Sequence, residues 1–221
     1  MMDRSDPIRV LLVDDEWLVR AALTTMLSGQ YDIDVVGEAS DGTAVPEAVR
    51  ITRPDIVLMD IRMPKIDGLA ATQRLRATTN APEAIMLTTF DTDELVLRAL
   101  RAGASGFLLK DTRPNEIVDA VRRVAAGEPI LSPAIARKLI EYARATAKSN
   151  EPREAARRRL ACLTDSQRRV AEAVGRGLTN AEIATELVMT VATIKSYVSQ
   201  IMHKLALNNR VQIALLIHDA E

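Results

Sequence analysis

Three carboxylates that close two apolar runs are the residues of this chain best suited to chemistry. Residues 54–60 read Pro-Asp-Ile-Val-Leu-Met-Asp and stop at Asp60, and the apolar run of residues 8–13 stops at Asp14-Asp15-Glu16. A lone aspartate ending an apolar run is most simply a turn former, and Asp60 alone would carry no more than that. Two such runs change the reading. In an open parallel sheet, ligands gather beyond the carboxyl ends of the strands. Asp14, Asp15 and Asp60 would meet there and offer the oxygen ligands that a hard cation requires.

Holding these groups together demands a regular alternation of strands and helices. Residues 8–13, 33–39, 56–59, 84–88 and 106–110 are short apolar runs bounded by Gly, Pro or polar residues, the pattern of strands buried on both faces. Between them the spacing predicts helices over 16–28, 43–52, 67–77 and 92–102, and after the fifth strand another over 114–126. Leu18, Ala22, Leu23, Met26 and Leu27 should line one side of the first, and Pro46 must lie in the first turn of the second. Asp91 with Glu94 reads as a capping box opening the fourth. Five strands alternating with five helices predict a doubly wound α/β domain with a five-stranded parallel sheet, of the flavodoxin-like kind, over residues 1–127. Lys110 then ends the fifth strand beside Asp60, at the end of the apolar Phe107–Leu109 run.

From residue 128 the strand pattern stops. Residues 128–160 read as a linker, with a helix near 133–145 opened by Ser132-Pro133 and a polar, flexible connector over 146–159 that carries Arg157-Arg158-Arg159. Residues 161–221 are helical throughout. Thr164 with Gln167 and Thr179 with Glu182 form two capping boxes, which set helices near 165–175 and 180–187. A third helix over about 190–205 places Ile194, Val198, Ile201 and Leu205 on one stripe. Lys195, Ser196, Ser199, Gln200 and His203 lie opposite. A short helix, a tight turn and a helix with a polar exposed face predict a helix-turn-helix with a recognition helix. An ordinary bundle helix is the plainer alternative. Residues 187–218 hold Lys195, Lys204 and Arg210 but no acidic residue, as a surface facing phosphates should. Residues 211–218 form an apolar final helix, expected to be buried on one side by its own bundle and on the other by a partner subunit.

Composition narrows the class further. The 221 residues suffice for one domain of about 120 residues and a smaller one. The net charge of −1 conceals an asymmetry: residues 1–127 carry 15 Lys and Arg against 20 Asp and Glu, and residues 128–221 carry 14 against 10. Cys162 is the only cysteine, so no intramolecular disulfide can form; a reducing cytoplasm and a place in the core are expected for it. No apolar run approaches the roughly 20 residues of a membrane span, and no charged leader precedes an apolar core. A soluble, cytoplasmic protein without membrane contact is expected.

With these residues in view, the chain resembles a two-component response regulator of the NarL/FixJ type, a receiver domain followed by a LuxR-type helix-turn-helix. In the receiver, Asp14 and Asp15 resemble the acidic pair, Asp60 the phospho-accepting aspartate, Thr88 the switch hydroxyl, Phe107 the switch aromatic and Lys110 the invariant lysine. The intervals of 28 residues from Asp60 to Thr88 and 50 from Asp60 to Lys110 suit that family. Leu178-Thr179-Asn180-Ala181-Glu182-Ile183-Ala184 and Thr193-Ile194-Lys195-Ser196-Tyr197-Val198 resemble the LuxR-type signature. Asp165-Ser166-Gln167-Arg168 and Tyr197 depart from its commoner wording.

The resemblance implies phosphotransfer from a sensor histidine kinase to Asp60. Mg²⁺ would be held by Asp15, Asp60 and the backbone carbonyl of Arg62, with Asp14 reaching it through water. Lys110 would pair with Asp60 and then with the phosphoryl oxygens, while Thr88 bonds the phosphoryl group and Phe107 rotates. Release or dimerisation of the DNA-binding domain would follow. On double-stranded promoter DNA, Lys195, Ser196 and Ser199 would face base edges, Thr190, Thr193 and Tyr197 would meet the backbone, and Lys204 and Arg210 would also bind DNA. Residues 161–221 balance six Lys and Arg against six Asp and Glu, so one subunit should bind DNA poorly and a homodimer is expected. No enzymatic activity is expected beyond self-phosphorylation and self-dephosphorylation. Two other readings stand beside this one: a receiver acting through protein contacts or as a phosphate sink, and a metal-dependent enzyme acting on small substrates. The last is weakest, because His203 and His218 are the only histidines and neither lies near Asp60.

Overall fold

Apolar strands buried on both faces need helices on each side of their sheet, and the first part of the chain folds accordingly. The structure, a computed structural model, describes residues 6–78, 81–89, 93–128, 130 and 150–220. They fall into two units, Met1–Ser132 and Pro133–Glu221. In the first, strands β1 (Ile8–Val13), β2 (Ile33–Ala39), β3 (Ile56–Asp60), β4 (Glu83–Thr88) and β5 (Gly106–Leu109) alternate with helices α1 (Trp17–Ser28), α2 (Val45–Thr52), α3 (Gly68–Arg76), α4 (Asp93–Arg101) and α5 (Pro114–Ala125). The sheet is parallel throughout in the order β2-β1-β3-β4-β5, the doubly wound arrangement that the alternation predicts.

Register is what builds the site. Val13 pairs with Met59, so Asp14 and Asp60 leave adjacent strands at the same level. Thr88 pairs with Leu109, which brings Thr88 beside Lys110. Strand order reverses between β1 and β3, and the crevice at such a reversal is where open α/β sheets bind ligands. One face of the sheet is closed by Leu23 and Leu27 of α1 and by Ile117, Val121 and Val124 of α5, packed on Val10, Leu12, Ile56, Leu58, Ile85 and Leu87. Each such side chain contributes about 1.5–3 kcal/mol on burial, so the strand ends are held by a stiff layer.

Several local expectations change. Leu18 and Ala22 are exposed, and α1 packs through Val19, Leu23, Met26 and Leu27 instead. The stripe is rotated because the helix meets only one face of the sheet. After α5 the chain turns at Gly127 (φ 82°), and Ile130 forms a parallel bridge with Gly106. Phe107 N donates to Ile130 O and Ile130 N to Ser105 O, both at 3.1 Å, so part of the outer edge of β5 is paired. The Asp91–Glu94 capping box and the helix near 133–145 lie outside the described residues.

The second unit consists, among the described residues, of α6 (Asn150–Leu160), α7 (Asp165–Gly175), α8 (Asn180–Leu187), α9 (Val191–Leu205) and α10 (Arg210–Ala220). Both capping boxes form, Thr164 with Gln167 and Thr179 with Glu182. Residues 150–159 are helical where a flexible connector is expected. Ala156 and Leu160 of α6 enter the core of the unit. Arg157 Nε donates to Ala220 O at 2.9 Å and Arg159 Nη2 to Leu205 O at 2.7 Å, so two of the three arginines hold helix ends. Helix α10 packs against both α7 and α6, and Ala214 and Leu215 stay half-exposed between its buried residues. Cys162 is exposed, not a core residue, with Sγ 3.3 Å from Arg159 O.

Candidate functional site

At the carboxyl ends of β1 and β3, Asp14, Asp15 and Asp60 each bring a carboxylate oxygen within 4.8 Å of the others. Asp14 and Asp60 are buried and Asp15 is exposed. Two oxygens bound to one Mg²⁺ at about 2.1 Å stand up to about 4.2 Å apart, so a slight closure, or one ligand acting through water, suits the group to that ion. An all-carboxylate donor set suits Mg²⁺ and not a soft metal.

Lys110 supplies the positive charge. Its Nζ lies 2.8 Å from Asp14 Oδ2, 3.3 Å from Asp60 Oδ2 and 3.3 Å from Glu16 Oε1. The nearest partner is thus Asp14, whereas sequence reasoning paired Lys110 first with Asp60. Asp60 Oδ1 accepts from Ile61 N at 2.8 Å. Burial raises the pKa of Asp60 above the usual aspartate range; the Asp14 charge adds to the rise, and Lys110 and the Ile61 N–H oppose it. Burial alone would lower the pKa of Lys110, but contact with Asp14 and Asp60 outweighs it and raises the value. Thr88 is buried at the end of β4, where its carbonyl accepts from Lys110 N at 2.7 Å. Phe107 is entirely buried on β5. The Arg62 backbone lies in the turn two residues beyond Asp60, and its side chain is exposed.

Neighbouring loops fix that turn. A Cβ on Gly68 would stand 2.0 Å from Asp60 O, so only glycine lets the start of α3 come this close. Lys65 adopts a left-handed φ of 63° and places Nζ 2.7 Å from Asp41 Oδ2. Lys65 first, and Thr43 with it, holds the Asp41 carboxyl down at about 2. Sequence reasoning missed this tie, because it joins two loops 24 residues apart.

In the second unit, α8 ends at Val188 in the left-handed region (φ 55°), and Thr190 caps α9 by accepting from Thr193 N at 3.1 Å. Ile194, Val198, Ile201 and Leu205 are buried, as their spacing predicts. Thr190, Thr193, Lys195, Ser196 and Ser199 are exposed, and Tyr197 is half-buried against the core. Gln167, a member of the first capping box, also donates to Gln200 at 3.0 Å and accepts from Lys204 Nζ at 2.8 Å, which ties α7 to α9. Lys204 is therefore exposed but engaged within the protein. Arg210, expected to meet DNA, is instead buried: it is 8% exposed and donates to Asn180 Oδ1 and Leu178 O. It braces the start of α8 from inside.

Comparison with known proteins adds to this geometry. A family model described as response regulator receiver domain matches residues 10–122, and one described as bacterial regulatory proteins, luxR family, matches residues 161–217. The transcriptional regulatory protein LiaR of Bacillus subtilis is 37% identical over 214 residues, 96% of this chain and 97% of LiaR. The nitrate/nitrite response regulator protein NarL of Escherichia coli K12 is 33% identical over 217 residues, 98% of each chain. Among solved structures, the response regulator ChrA of a heme-sensing two-component system is 33% identical and aligns with a TM-score of 0.52 over 95% of this chain and 96% of that one.

Proposed function

Because the chain belongs to the NarL/FixJ-type response regulators, transcriptional regulators that join a receiver domain to a LuxR-type DNA-binding domain, we propose that Asp60 is the residue its sensor histidine kinase phosphorylates. The observation that carries this reading is the meeting of Asp14, Asp15 and Asp60 within 4.8 Å, with Lys110 Nζ 3.3 Å from Asp60.

A carboxylate and a phosphoryl group repel each other unless positive charge stands between them. Asp15, Asp60 and the Arg62 carbonyl would hold Mg²⁺, with Asp14 reaching it through water, and the bound ion would supply that charge. An Asp60 oxygen attacks phosphorus in line, the bond from phosphorus to the donor imidazole nitrogen breaks, and the imidazole leaves as the acyl phosphate forms. Lys110 then exchanges an Asp60 oxygen for a phosphoryl oxygen. Thr88, buried one strand away, donates its hydroxyl to the phosphoryl group and shifts the end of β4, to which Phe107 on β5 responds. Water attacking the acyl phosphate resets the site, which is the only turnover expected.

On DNA, α9 enters the major groove. Lys195, Ser196 and Ser199 face bases there, and Thr190, Thr193 and Tyr197 orient the helix on phosphates, with Lys204 at the edge of the contact. Six basic against six acidic residues in 161–221 leave one subunit with little electrostatic affinity, so a phosphorylated homodimer binds two half-sites. The protein works in the cytoplasm, where promoter DNA lies; no described helix is long and apolar enough to cross a membrane. Incubation with acetyl phosphate and Mg²⁺ tests the acceptor: one phosphoryl group should appear by mass spectrometry on the wild type and none on Asp60→Asn. Undiminished labelling of the variant would refute the assignment.

A further inference from the structure

We propose that Arg20 is a positioning residue for the divalent-cation site, acting through the backbone of Asp14; this rests on the reading of Asp15 and Asp60 as cation ligands. Helix α1 starts immediately after the acidic turn, and its N-cap Glu16 makes no side-chain capping bond. The turn must therefore be held by other means. Arg20, one helical turn in and only 17% exposed, donates from Nη1 to Asp14 O at 2.7 Å and from Nε to Glu38 Oε2 at 2.9 Å. Thr24 Oγ1 approaches the other Glu38 oxygen at 3.1 Å, which anchors that carboxylate to α1 as well. Glu38 lies near the end of β2, and the next residue, Ala39, accepts from Asp14 N at 3.1 Å.

Three polar groups of Asp14 are hydrogen-bonded, N to Ala39 O, O to Arg20 and Oδ1 to Glu16 N at 2.9 Å, while Oδ2 forms an ion pair with Lys110 without a hydrogen bond. Asp15 differs. Among the described residues, no hydrogen bond or ion pair holds its exposed carboxylate, so its direction depends on its backbone. A peptide unit is planar, so fixing the carbonyl of Asp14 fixes the nitrogen and Cα of Asp15 and the origin of its side chain. Arg20 aims Asp15 without touching the cation. The rigid guanidinium fork reaches the turn and β2 at once, which a single ammonium cannot do.

Calorimetric titration of the full-length chain with Mg²⁺, without phosphodonor, tests this. Trp17 fluorescence gives a parallel readout, since the sole tryptophan is 70% exposed two residues after Asp15. Arg20→Gln should weaken Mg²⁺ binding about tenfold, the scale on which residues that orient metal ligands act. Arg20→Lys, which keeps the charge and the pairing with Glu38, should remain folded by near-ultraviolet circular dichroism and still fail to restore affinity. Leu23→Val, which loosens the buried side of the same helix, should lower thermal stability and leave Mg²⁺ affinity unchanged. Wild-type affinity in both Arg20 variants, or an equal loss in Leu23→Val, overturns the proposal. A wild-type chain that takes up no Mg²⁺ overturns the cation reading itself, and is told apart by that control.

Discussion

Asp60 sits in surroundings that penalise its own charge, and that penalty has a measurable sign. Its pKa is raised, chiefly by burial and further by Asp14, so the ionised form destabilises the folded receiver wherever pH exceeds the unfolded value. Asp60→Asn should therefore make the metal-free protein more stable at neutral pH, by about 0.5–2 kcal/mol, as replacements at strained functional sites commonly do. The gap should close as pH falls through the raised pKa and vanish below the usual aspartate range; thermal melts of the two proteins across pH 3–8 measure it. Gly68 allows a second test. Its missing Cβ would lie 2.0 Å from Asp60 O, so Gly68→Ala must push α3 away from the site. A stability loss of about 1–3 kcal/mol is expected, together with slower phosphorylation, and chemical denaturation with timed mass spectrometry reads both. At this scale the carboxylates and Lys110 were legible because each ends an apolar run. Arg20 and the Asp41–Lys65 tie were not, because their partners come from other strands and loops.

The elements were legible where burial is periodic or two-sided and obscure where it is neither. Strands β1 to β5 and helices α7 to α9 follow from apolar runs and capping boxes. Helix α6 did not, since among its described residues Ala156 and Leu160 are the buried ones, and Arg157 and Arg159 hold the ends of other helices. Arg210 misled because it stands in the acid-free stretch of residues 187–218, which reads as a phosphate-facing surface, yet here it braces α8. Two substitutions separate the roles. Arg210→Ala should cost about 2–3 kcal/mol of stability, the scale of a lost charged hydrogen bond, with little change in the salt slope of whatever DNA binding survives. Lys195→Ala should leave stability unchanged and cost about 1–3 kcal/mol of specific binding if Lys195 reads a base. If it touches only phosphate, all sequences should weaken alike and the salt slope should fall by roughly 1. Fluorescence anisotropy on specific and scrambled duplexes across a salt series distinguishes these outcomes.

For the molecule as a whole, two units with opposite charge balance divide the work between phosphochemistry and DNA. The apolar final helix packs on α6 and α7 yet keeps Ala214 and Leu215 half-exposed, and with the even charge of residues 161–221 this leads us to expect a dimer on DNA. Sedimentation of the phosphorylated protein with saturating DNA should show two chains per site, with half-sites about one helical turn, or a multiple of it, apart. One chain per site would remove the dimer. Phosphorylation of Asp60 in the first unit is expected to set the DNA affinity of the second. Coupling of this kind typically amounts to about 5- to 150-fold. The direct measurement is the affinity of the full-length protein for its selected DNA site, with and without acetyl phosphate and Mg²⁺, in the wild type and in Asp60→Asn. The expected result is a gain of at least about fivefold in the wild type and none in the variant. Equal affinity in all four conditions, or a gain that survives Asp60→Asn, would contradict it.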